Sequence, residues 1–233
     1  APDVIVTQDL CDVCAVSLDD VRTALRELAR RDIEICSLSP LRLADVWEDV
    51  RRVGRAVGRE AEGDAAAQDL AMRCDALAQA SASLDRPSVL TIEWLDPVMI
   101  GGTWMPELVT LAGGEALVTK AGEHAPTLDL DALRALDPDV VVLKPCGFDV
   151  PRTLSEAALL QTELPWDTWR AARSGEVYVA DGNAYFNRPG PRLVESAEIL
   201  AAILHRDVFP ELVEKHAPGL RRITKAGEAV AFG

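Results

Sequence analysis

Two rhythms of apolar and polar positions alternate along the chain. The compact run Val4-Ile5-Val6 predicts a strand over residues 3–7. After a polar loop at 8–14, Val21, Leu25 and Leu28 recur at helical spacing. Ser17 is placed to cap that helix, Asp19 and Asp20 fall in its first turn, and Arg30-Arg31 close its last, as the helix dipole favours. A second short strand is predicted over 33–37. Strand, helix and strand in this order build a parallel sheet, with ligands held at the carboxyl ends of the strands.

From 40 to about 86 only the helical rhythm is present. Leu43, Val46, Val50, Val53 and Val57 mark one face, and Gly54, Gly58 and Gly63 interrupt it. The pattern predicts a helix ending near Gly58 and a longer, Ala-rich one over 64–84, stopped by Pro87. Leu70, Leu77 and Leu84 stand seven residues apart. Such a helix is either a coiled-coil dimerisation segment or a rigid spine between two lobes. Two heptad intervals fall short of the three or four a coiled coil needs, which favours the spine.

Strand and helix alternate again from 88. Strands are predicted over 89–92, 140–143 and 177–179, and helices over 106–112, 130–136, 154–160, 166–173 and 191–204. The unbroken run Val140-Val141-Val142-Leu143 is that of a strand covered on both faces. The organisation expected is therefore α/β: a partial N-terminal lobe at 1–62, a connecting helix at 63–86, a C-terminal lobe at 87–210, and a tail at 211–233.

Composition narrows the functions. With 233 residues, 48% of them hydrophobic, the chain can bury a real core. A formal net charge of −14 repels phosphate backbones and anionic bilayers, which argues against nucleic-acid binding. No apolar run approaches the roughly 18–20 residues of a membrane helix.

Four loops fall at strand ends expected to face one cleft: 8–14, 93–104, 144–149 and 181–188. They carry Trp94, Trp104, Phe148, Tyr185 and Phe186 together with Cys11, Cys14 and Cys146. Stiff rings gathered at strand ends suit a large, flat, partly apolar ligand. Each ring taken singly is also at home in a core. Cys11-x-x-Cys14 reads as a zinc half-site that would need Cys146 and a further group such as His124, as a thioredoxin-type redox pair, or as a disulfide or thiol pair lining the cleft with Cys146 facing it, against the plain alternative of buried inert thiols. Cys36 and Cys74 fall inside predicted elements and read as core. Hydrolytic and redox motifs are absent: there is no G-x-S-x-G, phosphate loop, H-E-x-x-H or G-x-G-x-x-G. A Cys146 nucleophile with His124 as base lacks an orienting third group. His205 and His216 fall in a charged C-terminal region expected to be exposed. Glu107 sits at the start of the 106–112 helix, either as a simple dipole partner or as a docking charge for a basic membrane partner.

Several segments together carry a family likeness. They are Pro2-Asp3-Val4-Ile5-Val6-Thr7-Gln8, Glu93-Trp94-Leu95-Asp96-Pro97, the stretch from Pro106-Glu107-Leu108 to Gly113-Gly114, Asp137-Pro138-Asp139-Val140-Val141-Val142, and Asn187-Arg188-Pro189-Gly190-Pro191-Arg192. They resemble the cobalamin-binding members of the helical-backbone substrate-binding proteins, which serve ABC importers of vitamin B12, siderophores and haem. The likeness runs from residue 1 to about residue 210. It implies two α/β lobes joined by one long helix, with the first strands and helices of the N-terminal lobe missing, and an exposed sheet edge that would favour a homodimer.

The resemblance further implies a non-catalytic receptor with no required cofactor. A corrinoid or related metal chelate would lie between the lobes, contacted by Trp94, Trp104, Phe148, Tyr185, Phe186, Asn187 and Arg188. Glu107 would dock on an ABC permease, and the location would be periplasmic or membrane-anchored and extracellular. The alternative is a thiol-based metal or redox protein that holds a soft metal through Cys11, Cys14 and Cys146.

Overall fold

The computed structural model describes residues 2–8, 20, 23–24, 33–160, 164–166 and 168–233. They fall into two units, Ala1–Met72 and Arg73–Gly233. The cysteine loop and most of the helix expected after Ser17 lie outside the described residues.

In the first unit β1 (Val4–Gln8) pairs in parallel with β2 (Glu34–Leu38), Val4 opposite Glu34 and Gln8 opposite Leu38. Helix α1 (Leu43–Ala56) follows. Its start is held by Asp45, whose Oδ2 accepts from the backbone N–H of Leu41 at 3.0 Å and of Arg42 at 2.9 Å. The buried stripe runs through Leu43, Val46, Trp47 and Gly54, while Val57, expected on the same face, lies past the helix end and is exposed.

Helix α2 (Glu60–Ser81) begins four residues earlier than the pattern implied and passes through the boundary between the units. Gly63 reads as an interruption in the sequence but lies inside this helix. A Cβ on it would stand 3.0 Å from the Cα of Gly54 and 3.3 Å from the carbonyl of Val50. Here glycine permits two helix backbones to touch. Leu70 and Leu77 are buried, and the helix stops at Ser81, whose hydroxyl donates to the carbonyl of Leu111 at 2.8 Å.

The second unit is built on a seven-stranded sheet. Its path is β4 (Val98–Ile100), β3 (Ser88–Leu95), β6 (Val140–Leu143), β7 (Val177–Ala180), β8 (Leu220–Ile223) and β9 (Ala229–Ala231), with β5 (Glu115–Ala116) beside the start of β3. Strands β3 (Ser88–Leu95), β6 (Val140–Leu143) and β7 (Val177–Ala180) are parallel neighbours. Strand β4 (Val98–Ile100) returns on β3 as a hairpin. All four residues of β6 and all four of β7 are buried, as parallel strands covered on both faces require.

The helices of this unit are α3 (Met105–Leu111), α4 (Leu130–Arg134), α5 (Val150–Leu160), α6 (Arg170–Ser174), α7 (Leu193–Leu204) and α8 (Pro210–His216). Leu90, Ile92, Val141, Leu143 and Val179 form the centre of one core cluster. Trp169, fully buried, closes it by donating its indole N–H to the carbonyl of Leu133 at 2.9 Å.

The stretch 211–233, expected as a tail, carries most of α8 and then two strands of this sheet. β8 (Leu220–Ile223) pairs antiparallel with β7, and β9 (Ala229–Ala231) with β8. Arg221 and Arg222 in β8 obscure its strand character. Arg222 is neutralised by Glu176 at 3.1 Å and donates to the carbonyl of Gly175 at 2.6 Å. His216, expected to be exposed, is buried, and its Nε2 is hydrogen-bonded to the accepting carboxylate of Glu198 at 3.1 Å. Among the described residues no helix is long and apolar enough to cross a membrane.

Candidate functional site

Parallel pairing puts the carboxyl ends of β3, β6 and β7 side by side, and the loops that leave them touch. The backbone N–H of Cys146 donates to Glu93 at 2.9 Å, that of Gly147 to Gly182 at 3.3 Å, and that of Asn183 to Phe148 at 3.0 Å. Three of the four loops singled out in the sequence therefore form one edge of the second unit. A Cβ on Gly182 would stand 2.1 Å from the carbonyl oxygen of Pro145, so two of these loops meet at a distance only glycine allows.

A buried cation ties the three together. Lys144 has no solvent exposure. Its ammonium donates to Glu93 Oε2 at 2.9 Å and to Asn187 Oδ1 at 2.7 Å. Asn187 Nδ2 in turn donates to the carbonyls of Lys144 and Gly182, both at 2.9 Å. A buried ammonium is tolerated only with such partners. The end of β3, the end of β6 and the loop after β7 are thus fixed to one another by side chains.

Sequence reasoning missed Lys144 and Glu93, although a signal was present. Ile92 stands opposite Leu143 in the sheet, so the next residues along each strand, Glu93 and Lys144, are opposite charges brought together by register.

The seven expected contact residues divide by placement. Trp94 is exposed, its ring edge-on to Phe148 with centroids 5.5 Å apart and its indole N–H on the carbonyl of Asp96 at 3.0 Å. Tyr185 is half-buried, with its ring 6.5 Å from that of His216 and 5.9 Å from the Arg192 guanidinium. Arg188 is exposed.

The other four are turned to internal work. Trp104 is buried and donates to the carbonyl of Phe186 at 2.7 Å. Phe186 is buried at a left-handed φ of 67° and donates its backbone N–H to Ser196 Oγ at 2.9 Å. That bond and the Trp104 bond hold a strained residue in place. Phe148 is buried beneath the guanidinium of Arg152, 3.5 Å from the ring centroid. Asn187 spends its amide on Lys144 and Gly182. Ring type in the sequence could not separate these from the exposed rings, because core and rim use the same residues.

Behind Tyr185 lies an ionic knot. Glu198 of α7 receives Arg73 at 2.9 Å, His216 at 3.1 Å and Lys215. Burial pushes its carboxyl up, but the hydrogen bonds from His216, Lys215 and Arg73 more than reverse this and hold it at about 2.

Glu107 is half-buried in the first turn of α3. Of the three expected metal-binding thiols, Cys11 and Cys14 lie outside the described residues and Cys146 is half-buried beside Glu93. Among the described residues no group of three or more His, Cys, Asp or Glu side chains is spaced to hold a metal ion. Cys36 and Cys74 are buried, and burial pushes the Cys74 thiol up to about 11, which makes it inert.

Comparison with known proteins places this architecture. Among solved structures it is similar to an ABC transporter substrate-binding protein from Listeria monocytogenes EGD-e, with a TM-score of 0.72 and 18% identity over 88% of this chain and 77% of that one. It is similar to the periplasmic vitamin B12-binding protein of Vibrio cholerae, with a TM-score of 0.64 and 16% identity over 88% and 74%. A periplasmic haem-binding protein from Pseudomonas aeruginosa matches with a TM-score of 0.68 and 21% identity over 100% and 77%. At these identities the likeness is one of fold. No curated protein sequence matches significantly. The family model described as periplasmic binding protein matches residues 2–184, and the chain belongs to that family.

Proposed function

We propose that the chain is the substrate-binding component of an ABC importer, working outside the cytoplasmic membrane, and that its cargo is a metal chelate of macrocycle size, a corrinoid or a haem. Family membership supports the first half. Trp94 carries the second: it is the one aromatic side chain among the large hydrophobics exposed in the described residues. It stands at the carboxyl end of a parallel strand, where α/β folds hold ligands. An exposed indole backed by a buried phenyl ring offers a flat apolar surface at little entropic cost. Vitamin B12 and haem are also the ligands named for two of the similar structures.

In this reading Trp94 and Tyr185 meet the ring system and Arg188 reaches its polar substituents. Trp104, Phe148, Phe186 and Asn187 hold those contacts in place. Glu107 meets a basic residue of the permease. The test is titration with cyanocobalamin and, separately, haemin, read by ligand absorbance and tryptophan fluorescence. A saturable change with either ligand below about 10 µM is expected, weakened in Trp94→Ala. No saturable change with either would remove the proposal.

A further inference from the structure

Arg152 lies on the same edge as Trp94 and, while its flat face covers Phe148, its polar end is not used by the core. It stands in the first turn of α5, where its backbone N–H donates to the capping carboxylate Asp149 Oδ1 at 2.9 Å. A cation at that position works against the helix dipole, so helix stability does not account for it. Its guanidinium stacks 3.5 Å above the Phe148 ring, and Phe148 meets Trp94 edge-on. The side chain still keeps 56% of its exposure. Stacking occupies the flat face of a guanidinium and leaves its in-plane N–H donors directed outward.

The carboxylates on this edge of the unit compete poorly for those donors. Glu156, one turn along, stands 3.7 Å away and is itself exposed, beyond hydrogen-bond length and weak as a surface pair. Glu93 is engaged by Lys144. Asp181 Oδ1 accepts the backbone N–H groups of Asn183 and Ala184 at 2.9 and 2.8 Å. On the adjoining loop Arg188 is exposed and makes no hydrogen bond or ion pair among the described residues. In a chain with a net charge of −14, the exposed indole is thus accompanied by two accessible guanidinium groups.

We propose that Arg152, stacked on Phe148 beside Trp94, is a specificity-determining residue that takes a carboxylate on the rim of the bound macrocycle, so that the cargo class is a carboxylate-bearing chelate. This rests on the macrocycle reading above. A guanidinium and a carboxylate form two parallel charge-assisted hydrogen bonds, which an ester or amide in the same place cannot reproduce.

The test compares haemin with haemin dimethyl ester, which share ring and iron, and adds cyanocobalamin as a third probe. Wild type should bind the acid at least about tenfold more tightly than the ester, the worth of one good charge-assisted contact. Arg152→Gln should bring the acid to the affinity of the ester and leave the ester unchanged. Arg152→Lys should recover only part of the difference, having no flat face to stack. Thermal midpoints should stay with wild type, because the side chain is exposed. Three results overturn the inference and keep the macrocycle reading: equal binding of acid and ester by wild type, equal weakening of both by Arg152→Gln, or binding of cyanocobalamin alone. Binding of none of the three overturns both.

Discussion

Replacing Lys144 by Met removes an ammonium while keeping an unbranched side chain of similar length. Asn187 Oδ1 then loses its donor, which costs about 1–3 kcal/mol for a buried acceptor left unmade. Glu93 loses its counter-ion, but its side chain is 24% exposed and can turn to water. Its penalty therefore falls below the roughly 3–5 kcal/mol typical of breaking a fully buried pair, and the net expectation is about 3 kcal/mol. Glu93→Leu should be worse, about 4 kcal/mol, because the stranded ammonium has no path to solvent. The double variant buries neither charge and keeps only the cost of the Asn187 acceptor left without its donor, about 1–2 kcal/mol, so it is more stable than either single variant.

Urea unfolding followed by tryptophan fluorescence measures this directly. Trp94, Trp104, Trp166 and Trp169 lie in the second unit and only Trp47 in the first. The Lys144→Met thermal midpoint should fall by roughly 6–12 °C. A loss under about 0.5 kcal/mol, or additive losses in the double variant, would refute the argument that the clamp is one coupled unit.

Two further predictions follow from packing and charge. The carboxyl of Glu198 is held at about 2 against an ordinary 4.5, so its stabilisation is complete above pH 4.5 and is lost as pH falls toward 2. Allowing for solvent screening, the loss is about 2 kcal/mol. Unfolding curves between those limits should be flatter for Glu198→Gln, and an equally steep fall would remove the assignment. Gly63→Ala tests the helix contact in the first unit. Better helix propensity favours Ala by about 1 kcal/mol, while a Cβ 3.0 Å from the Cα of Gly54 costs about 1–3 kcal/mol. A net loss of about 1 kcal/mol is expected by thermal circular dichroism, and a gain would show that the two backbones do not touch.

What the sequence disclosed depended on how local the cause was. The run Val140–Leu143 was readable because burial on both faces writes itself into four consecutive residues. The two strands of the first unit were readable from their short apolar runs, although neither is covered on both faces, and α4 starts at Leu130 as expected, its first turn held by Asp129, whose Oδ1 accepts from the backbone N–H of Ala132.

Non-local causes were hidden. β8 is a strand because Glu176, more than forty residues earlier, absorbs the charge of Arg222. Gly63 reads as a helix breaker until Gly54 is seen against it. Trp104 and Trp94 are the same residue type ten positions apart, and only the carbonyl of Phe186, 82 residues away in sequence, makes the first a piece of the interior. The loops that meet at this edge were legible, not the division of labour within them.

The Lys144 clamp also bears on how the molecule comes to be made. Its two side-chain bonds join residues 51 and 43 positions apart, across strands that must already be in parallel register for the groups to meet. Contacts of such long sequence separation form late, after the entropy of closing the intervening chain has been overcome. The edge that carries Trp94 is therefore completed last during folding. A refolding chain should regain its helices and the tryptophan environment of its interior before it regains the capacity to capture cargo.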